Sequence, residues 1–278
     1  MLCRLPNRIV VPEKLPPKGK ALNEYTWEEI GLISTAGVAS EYFAVGDCKE
    51  ITLNGAIGNG LTLSNYTTYA YIIGINHNAS AEGENLIHFQ LGKTALSGGT
   101  NIALCDSKYS STYETTGYFS MRGERNNTGG WESSQMRTNI CGTSLTDYSG
   151  TIIGAIPEEL RAVLQPVTKY TNNVGNSTEA SAVTATTDYF FLLSEHEVFG
   201  SASYGNANES SKQAQYDYYS AGNSKIKYRH DVTSNAAKTL LRSPAVGSSE
   251  SFVSVYTDGR LSSSPGSSAG GFAPGFCV

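Results

Sequence analysis

The chain has 278 residues, of which 39% are apolar and 16% charged, with a formal net charge of −5. This is enough apolar sequence for one large or two small domains with a buried core. The longest apolar run, residues 69–75, is far shorter than the roughly 18 residues of a membrane span, so we expect no membrane insertion. Because the basic residues form no cluster, we also expect no nucleic-acid partner.

The N-terminal residues 1–24 contain four prolines and scattered basic residues, without the continuous apolar run of a secretory signal. We interpret them as an extended arm or attachment segment of a chain that folds in a cytoplasm. A helix is predicted over residues 27–36, because Thr26 and Glu29 have the spacing of a capping box and Gly37 stops the apolar pattern.

The remaining elements follow from apolar runs, helical spacing and turn residues. The sequence predicts long loops over residues 98–130 and a helix that begins at Pro157 and ends before Pro166. Further predicted elements are strands at residues 42–45, 50–53, 67–75, 85–90 and 188–194, and a helix at residues 131–141. Modest helices among short strands and long connections indicate an α+β fold rather than a doubly wound sheet.

The C-terminal region is the most informative. Nine of the 22 residues from Ser248 to Ala269 are serine, yet an apolar pattern and the turn Asp258-Gly259 predict a hairpin. Residues 271–278 are again apolar and predict a terminal strand in the core. A polar segment that is fixed at both ends by core-like sequence is typical of a binding surface on a rigid scaffold.

No catalytic constellation is visible. The four histidines, His77, His88, His196 and His230, are isolated in the sequence, and none has a metal-binding spacing. We interpret residues 195–197 as a solvated strand end. The five cysteines are odd in number and widely spaced, so we expect free, mostly buried thiols: Cys3, Cys48, Cys105, Cys141 and Cys277. We therefore expect no enzyme activity, no cofactor and no metal.

The C-terminal motifs carry a resemblance to a known family. Leu241-Arg242-Ser243-Pro244, the serine-rich stretch and the closing GGFAPGFCV resemble the variable region of proteins diversified by diversity-generating retroelements, many of them from phages and prophages of gut bacteria. Upstream blocks YFAVGDCKEITLNG, IIGINH, GGWESSQMR and DYFFLLSEHEVFG are similar to the same group. One departure is that related sequences usually carry tryptophan just before Leu-Arg-Ser-Pro, where this chain has Thr239 and Leu240.

The resemblance implies a C-type lectin fold over residues 25–278, with mostly antiparallel short strands, two or three helices and long loops. It also implies a variable region at residues 242–278. In this family, adenines of a template are randomised during reverse transcription, so that codons of the asparagine type come to encode many amino acids while their final pyrimidine is kept. Residues 245–269 contain no Lys, Gln, Met or Trp, which such codons cannot encode; only Glu250 does not fit.

By position in the family pattern, a set of residues is expected to be variable, solvent-facing and ligand-binding, whereas Phe252, Val253, Val255 and Phe272 are expected to be scaffold. The expected binding positions are Ala245, Ser248, Ser251, Ser254, Tyr256, Arg260, Ser262, Ser263, Ser264, Ser267 and Ala269. Tyrosines at residues 204–228 border the same surface or pack in the core; the sequence leaves both open.

The implied function is a hypervariable receptor-recognition protein, displayed on a phage tail through residues 1–24 and bound to a bacterial surface protein or glycan. The implied location is the virion after assembly in the bacterial cytoplasm, or otherwise the bacterial cell surface; a homo-oligomer remains open. The alternatives are a structural virion or cell-surface domain without ligand specificity, and an oxidase similar to formylglycine-generating enzymes, in which Cys141 or Cys277 would be redox-active. Those enzymes use copper with a pair of nearby cysteines, whereas the cysteines of this chain are dispersed. Only Glu250 and Asp258 supply acids in residues 242–278, so we expect folding without calcium.

Overall fold

The computed structural model describes residues 14–110 and 114–278. Its centre is a five-stranded sheet of β1 (Cys48–Ile57), β2 (Leu61–Ile75), β3 (Ile87–Leu91), β7 (Phe190–Phe191) and β13 (Gly275–Cys277). The strand order is β1-β2-β3-β13-β7, and every neighbouring pair is antiparallel. The C-terminal strand therefore lies inside the sheet, between β3 and β7.

Three smaller sheets surround the centre. One consists of β4 (Ile102–Ala103), β8 (Lys227–Arg229) and β9 (Ala236–Ala237), and a second of β5 (Val167–Asn172) and β6 (Val183–Asp188). The third consists of β10 (Thr239–Pro244), β11 (Ser251–Val255) and β12 (Leu261–Pro265), with antiparallel pairing throughout. The only parallel pairing of named strands within the described residues joins β4 and β8.

The helices are short. They are α1 (Trp27–Thr35), α2 (Ala79–Glu82), α3 (Ile152–Ala155), α4 (Glu158–Arg161), α5 (Glu195–Phe199) and α6 (Asp217–Ser220). Single turns of 3-10 helix occur at Leu22–Glu24, Ala39–Glu41, Ala180–Ala182 and Ala207–Ser211, and a π-helical turn spans Met136–Cys141. The protein is thus α+β with mostly antiparallel strands, as the sequence predicts. No helix in the described ranges is long and apolar enough to cross a membrane.

Several element predictions are confirmed with adjusted bounds. Helix α1 begins after Thr26, whose side chain accepts a hydrogen bond from the Glu29 amide while the Glu29 carboxylate accepts one from the Thr26 amide. The predicted strands at residues 50–53, 67–75 and 85–90 belong to β1, β2 and β3. The hairpin at Asp258-Gly259 and the terminal strand are also present.

Other element predictions are wrong. Residues 42–45 form a turn, because the Asp47 carboxylate accepts a hydrogen bond from the Ala44 amide at 2.8 Å. The helix predicted at residues 131–141 reduces to turns and the π-helical turn, and the helix after Pro157 is only four residues long. The predicted strand at residues 188–194 is broken: Asp188 ends β6, β7 has two residues, and Ser194 caps α5.

The described part of the predicted arm, residues 14–24, packs on the domain. Leu22 is buried in the core, and the Asn23 side chain accepts a hydrogen bond from the Glu50 amide of β1 at 2.8 Å. The Tyr25 hydroxyl donates to the Pro17 carbonyl at 2.7 Å. No break in packing therefore marks residue 25, and the rest of the arm, residues 1–13 with Cys3, lies outside the described residues.

Candidate ligand-binding surface

The serine-rich segment forms a regular hairpin. Strand β11 pairs with β12 from Ser251 opposite Pro265 to Val255 opposite Leu261. The strands are joined by a turn in which the Tyr256 amide donates to the Arg260 carbonyl at 2.8 Å, and Gly259 has φ +86°, a value that favours glycine. Strand β12 is the edge strand of its sheet, and it carries three consecutive serines.

The hairpin is packed on both faces. Directly opposed residues of antiparallel strands share a face. Phe252 therefore shares a face with Ser264, and Val253 shares the other face with Ser263. Phe252, Val253, Val255 and Phe272 are all buried, as the scaffold prediction requires.

The prediction that all eleven variable positions face solvent is wrong for four of them. Ala245, Ser254, Ser264 and Ala269 are 4% exposed or less. The hydroxyls of Ser254 and Ser264 contact each other at 3.4 Å between the sheet and the core. Ala269 is packed so closely on the backbone of Gly117 that a Cβ placed there would lie 2.2 Å from the Ala269 Cβ. Neither face of β11 is open, so Ser254 does not reach solvent from either side of the strand.

The other seven predicted positions are accessible, and their binding role stays a prediction. Arg260 is exposed and the rest are half-buried: Ser248, Ser251, Tyr256, Ser262, Ser263 and Ser267. The Arg260 guanidinium lies 4.7 Å from the centre of the Tyr256 ring, an arrangement that combines aromatic area with charge. We call these seven residues the hairpin surface.

A buried asparagine holds the loop before the hairpin. The Nδ2 atom of Asn127 lies 2.7–3.1 Å from the carbonyl oxygens of Ala245, Ser248 and Ser251. The Asn127 amide also donates to the Ser249 carbonyl at 2.9 Å. The side chain is only 1% exposed, so its hydrogen bonds fix the loop that carries Ser248. No local signal in the sequence indicates this role of Asn127, because its partners are more than 100 positions away.

Arg242 anchors the other end of the segment. Its guanidinium makes two hydrogen bonds to the Glu197 carboxylate, at 2.5 and 3.0 Å, and a third to the Thr171 hydroxyl at 2.9 Å. Lys169 contacts the same carboxylate at 3.0 Å and also pairs with Glu82. All four charged groups are buried, and we call them, with Thr171, the Arg242 cluster. A forked pairing of this kind fixes orientation as well as charge.

The charges of the cluster determine its ionisation. Burial disfavours the Glu197 carboxylate, but Arg242 and Lys169 outweigh it and hold the pKa of Glu197 below its usual range. For Glu82, burial prevails over Lys169 and raises the pKa. The interpretation of residues 195–197 as a solvated strand end is therefore wrong. Glu195 and Glu197 lie on α5, which begins at the capping box of Ser194 and Glu197, and both are fully buried.

Two histidines that are isolated in the sequence meet in the core. The rings of His77 and His88 are 5.5 Å apart, and His77 stacks on Tyr216 at 3.9 Å. His88 Nδ1 lies 3.1 Å from the Tyr216 hydroxyl and 3.4 Å from the Cys277 thiol. Burial, assisted by the Lys169 charge, lowers the pKa of His77 to about 3, so the ring is neutral.

Among the described residues, no group of three or more His, Cys, Asp or Glu could hold a metal ion. The four described cysteines are free and buried, which confirms the prediction for them. Burial raises the pKa of Cys141 and of Cys277 well above the ordinary thiol value, so neither is a ready thiolate nucleophile.

The tyrosines between residues 204 and 228 fall into two groups, and both roles that the sequence leaves open occur. Tyr216, Tyr218 and Tyr219 are buried in the core, whereas Tyr204 is 43% exposed.

Comparison with known proteins identifies a family. Neither a curated protein nor a solved structure matches the chain. Residues 107–278 match a family model described as a domain of unknown function, DUF6273. The matched residues include β7, β13 and the sheet of β10, β11 and β12, but not β1, β2 or β3. Because the match covers more than half of the chain, the protein belongs to the DUF6273 family.

Proposed function

We propose that this protein is a non-enzymatic receptor-recognition protein that binds a bacterial surface molecule through the hairpin surface. The observation that carries the proposal is the contrast between the accessible polar residues of β11 and β12 and the buried residues between them. Ser251, Ser262 and Ser263 reach solvent, while Phe252 and Val253 hold the strands on the core. A contact surface of this kind can change its side chains without loss of the scaffold.

The fold that we propose is the C-type lectin fold, diversified by a retroelement. An α+β domain with a C-terminal strand inside the central sheet supports it, together with the Arg-Ser-Pro and Gly-Phe-Ala-Pro-Gly-Phe motifs that bracket the hairpin. Leu240 occupies the region where relatives of that group carry tryptophan. It is buried, and a Cβ on Gly270 would lie only 2.4 Å from its Cγ, so the smaller side chain leaves the packing tight.

The chemistry of the hairpin surface favours a weak single contact. Tyr256 and Arg260 supply the only large side chains, and serines supply adaptable hydrogen bonds. Display in several copies on a phage tail, attached through residues 1–24, would raise the overall strength without new contacts. The free, buried cysteines and the lack of a metal cluster in the described ranges give no support to the copper-oxidase alternative.

The first test is the genomic neighbourhood. We expect a near-copy of the DNA for residues 242–278, with adenines at the codons of the hairpin surface, beside a reverse transcriptase gene. At the codons of the buried Ala245 and Ala269, the copy should differ from the coding sequence at fewer adenines than at the codons of the hairpin surface. A genome without both elements would remove the retroelement from the proposal and favour a structural domain.

The second test is binding itself. A chain in which Tyr256 and Arg260 are replaced by alanine should lose retention on host cells, measured by flow cytometry with a labelled multimer. The matched control replaces the exposed Leu96 and Lys18 by alanine; Lys18 pairs with Glu41, and neither side chain contacts a described residue of the hairpin. Equal retention of both variants and the unchanged chain would show that the hairpin surface binds nothing on those cells.

A further inference from the structure

We propose that a second site, a cleft beside the hairpin sheet, binds a neutral saccharide. The cleft has a volume of about 540 Å³ and lies between the β1–β2 turn, residues 117–123, the π-helical turn and residues 147–151. This volume is within the usual range of small-molecule sites. The inference does not rest on the proposed function, because it uses none of the residues of the hairpin surface.

The lining is polar and almost uncharged. Amide and hydroxyl side chains dominate it, the single charged side chain is Asp147, and the apolar contributions are Ile140 and the ring of Tyr118. No lysine, arginine or histidine lines the cleft, which disfavours a phosphate or carboxylate ligand. An apolar peptide side chain would bury these polar groups without partners. A saccharide presents hydroxyls that both donate and accept, which is the chemistry that this lining matches.

Several of these polar groups are free to bind. The side chains of Asn59, Asp147 and Ser149 are exposed and make no hydrogen bond to any residue that the structure describes. Gln135 donates to the Ser120 hydroxyl at 2.6 Å, which leaves its carbonyl oxygen available. A carboxylate, an amide and a hydroxyl therefore share one cleft, and together they can donate to and accept from adjacent hydroxyls of a sugar ring.

The walls of the cleft are fixed by backbone contacts. The Gly58 amide donates to the Gly150 carbonyl at 2.7 Å, which joins the β1–β2 turn to the opposite loop. The Ser144 hydroxyl accepts hydrogen bonds from the amides of Thr146 and Asp147 at 3.1 and 3.0 Å, so the carboxylate is carried by an ordered turn. One wall is the π-helical turn Met136–Cys141, a distortion that is frequent at functional sites. The site is thus formed before a ligand arrives.

The test uses the full chain and defined sugars. Glucose, galactose, mannose and N-acetylglucosamine, with their β-linked disaccharides, are titrated by saturation-transfer NMR and calorimetry. We expect millimolar binding of at least one of them, and no competition by inorganic phosphate. The double variant Asn59→Ala/Asp147→Ala should weaken that binding at least tenfold. Its thermal midpoint should not change, because both side chains are exposed and unbonded.

Two controls separate this site from the hairpin surface. Glu84→Ala removes an equally exposed and unbonded acid far from the cleft, and it should leave saccharide affinity unchanged. Tyr256→Ala/Arg260→Ala should also leave it unchanged, even if cell retention is lost. The proposal is overturned if none of these sugars binds, or if a sugar binds with the same affinity to the cleft variant.

Discussion

The two arginines of the C-terminal segment, Arg242 and Arg260, show how differently one residue type is used within eighteen positions. Arg242 is fully buried and bonds to Glu197, Thr171 and backbone carbonyls. Arg260 is exposed, and its side chain contacts the Tyr256 ring and Asp258. The first fixes the strand that leads into the segment, and the second is presented by it. We call the Arg242 cluster the base of the segment, and the accessible Tyr256 and Arg260 its rim.

The largest expected effect is on the base. Arg242→Met should lower the free energy of unfolding by about 3–5 kcal/mol, because among the described residues it leaves the buried Glu197 paired with Lys169 alone. Urea denaturation followed by circular dichroism measures the loss. The matched variant Arg260→Met should change stability by less than about 1 kcal/mol, because it loses only an exposed cation–π contact. Similar losses for the two variants would contradict the division into base and rim.

A second comparison concerns predicted variable positions that differ in burial. Ala269→Tyr should cost about 2–3 kcal/mol, because the added ring must enter the contact between Ala269 and Gly117. Ser263→Tyr, on the edge strand and half-buried, should cost less than about 0.5 kcal/mol. Thermal unfolding of both variants gives the difference. If the Ala269→Tyr variant were as stable as the Ser263→Tyr variant, Ala269 would be an accessible position rather than a buried one.

Local signals in the sequence predicted local structure well. The capping box at Thr26 located the start of α1, and the turn Asp258-Gly259 located the hairpin. The same capping-box spacing is present at Ser194 and Glu197, where it would have predicted α5. The apolar run before it predicts one long strand over residues 188–194, but the capping box begins a helix at that point.

The parts that could not be predicted depend on contacts between distant positions. The position of Ser254 in the family pattern predicts that it faces solvent, but both faces of the hairpin sheet are covered there. The Arg242 cluster joins residues from α2, β5, α5 and β10, and no spacing in the sequence indicates that they meet. The saccharide cleft likewise combines four distant segments, one of which lies in the predicted loop region, residues 98–130.

The pH dependence of stability tests the two buried histidines beside the Arg242 cluster, His77 and His88. A histidine in the unfolded chain titrates near 6.5, whereas burial lowers the pKa of folded His77 to about 3. The unfolded chain therefore binds the proton first, and the free energy of unfolding falls as the pH falls from 6.5 towards 3. From pH 7 to 5 this loss is about 1–2 kcal/mol for His77. Urea titrations at several pH values measure it.

The variant His77→Phe isolates that contribution. Phenylalanine keeps an aromatic ring against Tyr216, which His77 contacts at 3.9 Å, but it cannot take up a proton. The loss of stability between pH 7 and 5 should become smaller in the variant, while His88, whose pKa burial also lowers, keeps a part of it. An unchanged slope would show that other groups account for the acid sensitivity.

The smallest expected effect lies on the rim. The Tyr256 ring and the Arg260 guanidinium, 4.7 Å apart, form a cation–π contact at an accessible site, which contributes about 0.5–1 kcal/mol. A double-mutant cycle with Tyr256→Ala and Arg260→Ala measures the coupling directly. We expect a coupling in the lower half of this range, because the guanidinium is exposed and is shared with Asp258. A coupling above 1 kcal/mol would mean that the two side chains hold each other in one conformation. The rim would then be preorganised in the same way as the base, and a new residue at either position would disturb the other.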